Sequence, residues 1–131
     1  MLTLTLKHPP RELHPNGRAS VFNGARLVKL SRLYAKLESI NAMNRIGWMK
    51  PPQWEKATTR TTFHFDKKRR RDGDNLGAWL KSYWDGITDA GVVVNDSGFH
   101  HEPPTIVVSG VNIVVIEIVA AGGGLVSRSW K

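Results

Sequence analysis

Asp72, Gly73 and Asp74 follow directly on five consecutive cations, Lys67, Lys68, Arg69, Arg70 and Arg71. Two aspartates with one residue between them project to the same side of an extended backbone, their Cα atoms roughly 6.5–7 Å apart. Oxygens placed in this way can converge on one hard divalent cation, and Mg²⁺ is usually held by one or two carboxylates together with waters and substrate phosphate oxygens. A block of like charges is tolerated where solvent or a polyanion screens it, and a phosphate backbone is the commonest polyanion. Together the two features read as a phosphate grip beside a metal seat. Each half also has a bland reading, since a basic pentad is often a solvated face and Asp-x-Asp is a frequent chance pattern. A calcium loop of the EF-hand kind is excluded: Leu76 and Tyr83 stand where it needs an oxygen ligand and a glutamate.

The elements around this stretch must position it. Thr-rich alternation from Ala57 to Phe65, with Phe63 and Phe65 on one face and His64 on the other, predicts a strand feeding the basic run. Leu76, Leu80, Tyr83 and Ile87, widened by Trp79 and Trp84, predict one helix running to about Ala90, with Gly91 as its C-terminal cap. The aspartates then sit at a helix N-terminus, where the dipole favours negative charge and backbone N–H groups face a phosphate. Lys81 lies two turns beyond Asp74 on such a helix, near the same azimuth. Val92 to Val94 read as a short buried strand, which would mount a third carboxylate, Asp96, at its end; a plain turn role in Asn-Asp-Ser-Gly is the alternative. His100, His101 and Glu102 are adjacent polar residues that point apart on an extended chain and are left as loop residues that could touch substrate.

Upstream, Leu2, Leu4 and Leu6 share one face of an opening strand, which ends before Pro9 and Pro10. The segment is too short for the apolar region of a signal peptide. A first helix is expected from Asn23 as N-cap, ending before Asn44, with an apolar stripe of Leu27, Leu30, Tyr34, Leu37 and Ile40. Its other face carries Arg26, Lys29, Arg32 and Lys36, either solvated or tracking a phosphate strand. Trp48 and Trp54 flank a Gly- and Pro-containing loop and read as lids on a small core before they read as base-stacking platforms. Thr105 to Val108 and Val111 to Val119 look like a hairpin turning at Ser109-Gly110, and residues 120–131 are expected to form a mobile tail.

A chain of 131 residues makes a single domain, 1–131, and the pattern predicts an α+β fold: a small mixed sheet with two main helices. The net charge of +8 favours an anionic partner, nucleic acid first. The absence of cysteine excludes disulfides and thiolate metal sites. No apolar run approaches the ~20 residues that span a bilayer, so a cytoplasmic protein without a membrane partner is expected.

The order Arg69-Arg70-Arg71-Asp72-Gly73-Asp74-Asn75-Leu76, then Trp84-Asp85-Gly86-Ile87, Ala90-Gly91 and Asn95-Asp96, resembles the RusA family of Holliday-junction resolvases of bacteria, phages and prophages. Pro9-Pro10, Asn16 and Arg18 resemble that family's start. The resemblance implies a homodimeric, Mg²⁺-dependent crossover junction endodeoxyribonuclease, with Mn²⁺ as a substitute and no small-molecule cofactor. Such an enzyme nicks two opposed strands of a four-way DNA junction and leaves 5′-phosphate ends. It implies metal-binding, catalytic roles for Asp72, Asp74 and Asp96. The family's catalytic lysine corresponds to Lys81, ahead of Trp84-Asp85-Gly86, while other members place it where this chain has Ala78. Many members have Asp-Asp where Asn95-Asp96 stands here. Lys67, Lys68, Arg69, Arg70 and Arg71, with Lys29, Arg32 and Lys36, are the expected phosphate contacts. The rival readings are a non-catalytic basic nucleic-acid binder, or a metal nuclease acting on other branched DNA or on RNA.

Overall fold

The computed structural model describes residues 1–15, 21–68 and 73–121, and the side chains of these apart from 21–23 and 73–74. The chain forms a small α+β domain. Its strands are β1 (Leu2–Lys7), β2 (Ala57–Phe65), β3 (Phe99–His101), β4 (Thr105–Val108) and β5 (Ile113–Ala120); its helices are α1 (Val21–Arg45), α2 (Gly73–Trp79) and α3 (Lys81–Asp89). The sheet is mixed, in the order β1-β5-β2, with β3 and β4 following one another along the far side of β2. β1 and β2 are antiparallel to β5, whereas β3 and β4 run parallel to β2.

Register explains the core. Leu2, Ile118 and Thr59 form one row across the sheet, Leu4, Ile116 and Thr61 the next, and Leu6, Val114 and Phe63 the third. All nine residues are buried, because alternate residues of each strand face the same side. Each large aliphatic or aromatic side chain removed from water there contributes roughly 1.5–3 kcal/mol. Leu76, Leu80, Tyr83 and Ile87, the predicted stripe of the second helix, join the same buried cluster.

The first helix buries the expected stripe only in part. Ser31, Ala35, Ser39 and Ala42 are buried, while of the predicted stripe Tyr34 and Ile40 pack partly buried on the core and Leu30 and Leu37 are about half exposed. The cause is a close helix crossing: any Cβ on Gly86 of α3 would overlap the backbone carbonyl oxygen of Arg32 and lie 2.9 Å from the Ala35 Cβ. Only small side chains fit between axes that close. Ser39 enters this seam without an orphaned hydroxyl, because its Oγ donates to the Ala35 carbonyl at 2.7 Å.

Several boundaries also differ. α1 begins at Val21, so Asn23 lies within the helix and is not its cap. The helix continues past Asn44 to Arg45 and stops where Gly47 takes φ +81°, with Trp48 N–H bonded to the Met43 carbonyl and Gly47 N–H to that of Asn44. The second helix is not continuous: α2 and α3 meet at Leu80, whose backbone (φ −88°, ψ 3°) leaves the helical region. Val92 to Val94 form a single parallel bridge, Val93 to Trp54, in place of a strand. β4 and β5 are not a hairpin, since β2 lies between them and the 109–112 connection passes over the end of β2. There Ser109 and Gly110 donate to the Phe65 carbonyl, and Asn112 Oδ1 accepts from the Asp66 amide. Of the predicted tail, Ala120 closes β5 and Ala121 donates to the Lys56 carbonyl; 122–131 lie outside the described residues. Asn16 and Arg18 lie outside them as well.

Candidate functional site

The described elements on either side of residues 69–72 are anchored in the core. At one end β2 is paired on both flanks and capped by the 109–112 connection. At the other, Trp79 at the end of α2 donates its indole N–H to the Pro10 carbonyl at 2.8 Å and stacks on Phe63, with ring centroids 6.2 Å apart. His8 fills the gap with edge contacts to Phe65 and Trp79. Lys67 and Lys68 emerge exposed from the end of β2. Arg69, Arg70, Arg71 and Asp72 lie outside the described residues, as does the side chain of Asp74, whose backbone belongs to the first turn of α2.

Asp96 is positioned by a different route. Gly91, at φ +89°, ends α3 and turns the chain beside residues 53–54, where Gln53, Trp54 and Val94 exchange backbone hydrogen bonds with Gly91, Val92 and Trp54. The Asn95 side chain then accepts from the Ser97 amide at 3.0 Å and caps a single 3₁₀ turn, Asp96–Gly98. Gly98 sits against the Glu55 carbonyl so closely that no side chain fits. Asp96 therefore leaves a rigid turn with its carboxylate 43% exposed.

Lys81, at the first position of α3, reaches that carboxylate. Its Nζ lies 3.2 Å from Asp96 Oδ2 and 3.0 Å from Asp85 Oδ1 one turn along the same helix. These hydrogen bonds, Asp85's first and Asp96's second, raise the ammonium above the ordinary lysine range, so Lys81 is a cation at neutral pH. Two residues singled out from sequence are thus in contact. The reason is not the one sequence suggested, because the break at Leu80 removes the continuous azimuth linking Asp74 to Lys81.

Beside this contact is an open hollow of about 290 Å³, lined by Arg32, Asp85, Thr88, Asp89, Val94, Asn95 and Asp96. Arg32 makes a two-pronged pair with Asp89, Nε to Oδ2 at 2.5 Å and Nη2 to Oδ1 at 2.8 Å, which ties α1 to α3. The guanidinium holds the Asp89 carboxyl below the usual carboxylate range, with a smaller contribution from the charge of Lys36. Arg32 and Lys36 therefore face the acidic side of α3, while Lys29 is exposed further along α1. On the other side of Lys81 a larger hollow of about 640 Å³ is walled by Trp84, His101, Glu102, Pro103 and Pro104. His101 bonds through Nδ1 to Thr59 Oγ1 at 2.7 Å and packs on Trp84 with centroids 4.2 Å apart; burial, then the charge of His100, lowers its pKa. Glu102 pairs with Arg60 at 3.6 Å.

Among the described residues no group of three or more His, Asp or Glu side chains gathers as metal ligands. Sequence reasoning gave no role to Asp85 or Asp89. The four-residue spacing from Lys81 to Asp85, on a helix already predicted, was the available signal for the first; Asp89 becomes visible only once α1 crosses α3.

No protein-family model matches the chain. An uncharacterized protein of Xylella fastidiosa (strain Temecula1) is 31% identical over 105 residues, which is 79% of this chain and 65% of that protein. The chain thus spans about two thirds of its relative's length. No helix among the described residues is long and apolar enough to cross a membrane.

Proposed function

We propose that the chain is a divalent-metal-dependent endonuclease for branched DNA, resolving four-way junctions as a cytoplasmic homodimer of a bacterial or phage-infected cell. The observation that carries this reading is the 3.2 Å contact between Lys81 Nζ and Asp96 Oδ2, two residues assigned to one reaction that stand on separate elements. The RusA-like order of residues from Arg69 to Asp96 and the net charge of +8 support it.

The donor chemistry fits Mg²⁺ or Mn²⁺. Asp96 offers a partly exposed hard oxygen pair that already faces a cation, and Asp72 and Asp74 supply the same donor type. When bound, the ion lowers the pKa of a coordinated water and neutralises charge on the phosphate. Lys81, held at Asp85 and Asp96, is placed to donate hydrogen bonds to oxygens that gain charge during in-line displacement. Lys67, Lys68 and Arg69 to Arg71 hold backbone phosphates, contacts that position the strand without reading bases. Lys29 extends this grip along α1, whereas Arg32 and Lys36 face Asp89. Paired nicks follow from two such sites related by a two-fold axis.

A synthetic four-way junction, a fork and a linear duplex of equal length, each with Mg²⁺ and with Ca²⁺, test the reading. Junction cleavage with Mg²⁺ is expected, and Asp74→Asn or Asp96→Asn should keep binding and abolish nicking. Cleavage by either variant at the wild-type rate overturns the metal assignment. Binding without any cutting identifies a non-catalytic binder, and preferred cutting of the fork a different nuclease.

A further inference from the structure

Lys81 is placed between two carboxylates that differ in role. Asp96, on its 3₁₀ turn, is the proposed metal ligand; Asp85 is on the same helix as Lys81, is only 22% exposed, and lies 3.0 Å from Nζ. A dication taking Asp96 would repel an ammonium 3.2 Å from the same carboxylate. Without a second anchor, the Lys81 side chain keeps Asp96 as its one hydrogen-bonding carboxylate among the described contacts and opposes the ion there. Asp85 supplies that anchor from a helix position four residues along, where side chains meet.

We infer that Asp85 is the positioning residue that holds the Lys81 ammonium when Asp96 is taken up by the metal, so that loading the ion and keeping the lysine in place do not compete. The inference rests on the endonuclease reading for the role of Asp96. Asp85 touches neither ion nor phosphate in this scheme and acts only through Lys81. Arg32, the cation lining the hollow beside Asp85 and Asp96, is held on Asp89 by two hydrogen bonds and is not available to replace Lys81.

The experiment measures Mn²⁺ binding by electron paramagnetic resonance on the full chain, for wild type, Asp85→Asn, Lys81→Gln and the double variant, with single-turnover junction cleavage alongside. Loss of Asp85 leaves Lys81 on Asp96, so D85N is expected to weaken Mn²⁺ binding by about 10-fold, the lower end for a residue that orients a site. Its cleavage rate should fall while junction affinity in Ca²⁺ is kept. In the K81Q background the competing cation is gone, and D85N should not weaken Mn²⁺ binding further. Wild-type Mn²⁺ affinity in D85N overturns the inference, and so does an equal loss with and without Lys81, which would mean that Asp85 acts by its own charge. A wild-type chain that binds no Mn²⁺ and cuts nothing overturns the endonuclease reading itself.

Discussion

Gly86→Ala tests the packing on which the site depends. The α1–α3 crossing is closed at Gly86, where a Cβ overlaps the Arg32 carbonyl oxygen and lies 2.9 Å from the Ala35 Cβ, while ordinary carbon contacts begin near 3.4 Å. The obstacle at Arg32 is helix backbone, which cannot rotate aside, so the helices must part. Overpacking of this kind costs about 3 kcal/mol, the upper end of the usual range. Alanine returns about 1 kcal/mol through its helix propensity. The net loss is about 2 kcal/mol, or roughly 7 °C in Tm for a chain of this length. Gly77→Ala is the matched control, since Gly77 is also helical but a Cβ there meets nothing within 4 Å. It should gain roughly 0.5–1 kcal/mol. Urea and thermal unfolding followed by tryptophan fluorescence measure both. A G86A chain as stable as wild type with an unchanged m-value would refute the crossing. The displacement should also strain the Arg32–Asp89 pair that ties α1 to α3.

Two further outcomes follow from single side chains. Ser82 Oγ is buried with no hydrogen-bond partner among the described residues, so Ser82→Ala should stabilise the fold by about 1 kcal/mol in the same unfolding assay; a loss would show that the hydroxyl is bonded. The folded state keeps His101 below its ordinary pKa, so below about pH 6.5 the unfolded chain takes up the proton first. Stability should therefore fall with pH from there down to the lowered pKa and then level off. His101→Gln should flatten that segment of a stability–pH curve, and an unchanged slope would rule the imidazole out as its source.

The legible parts of the fold were those set by local pattern. β2 has the predicted bounds because Thr-rich alternation with Phe63 and Phe65 matches a strand buried on one face. The stripe from Leu76 to Ile87 is buried as its spacing implies, and Gly91 ends the helix as a residue free to adopt positive φ. On the first helix the leucine-weighted stripe finds Tyr34 and Ile40 but not the most buried residues, because the closest crossing selects serine and alanine. The 105–119 region was misread because two apolar runs around Ser-Gly suggest a hairpin whether or not a third strand lies between them. At the site, residue types and order marked Lys81 and Asp96, but nothing in their separation along the chain required contact.

By itself, the sequence determined the chemistry on offer: hard oxygen donors, a block of cations, no thiols, and the helix and strand periods that carry them. Those are properties of side chains and of spacing over a few residues, and they survive any arrangement of the elements. Tertiary structure alone decided which donors meet. The break at Leu80 set the direction of α3, the bridge between Trp54 and Val93 set the turn that bears Asp96, and the Gly86 crossing brought Arg32 to Asp89. Each of these depends on how closely two backbones approach, a distance fixed by packing between segments far apart in the chain.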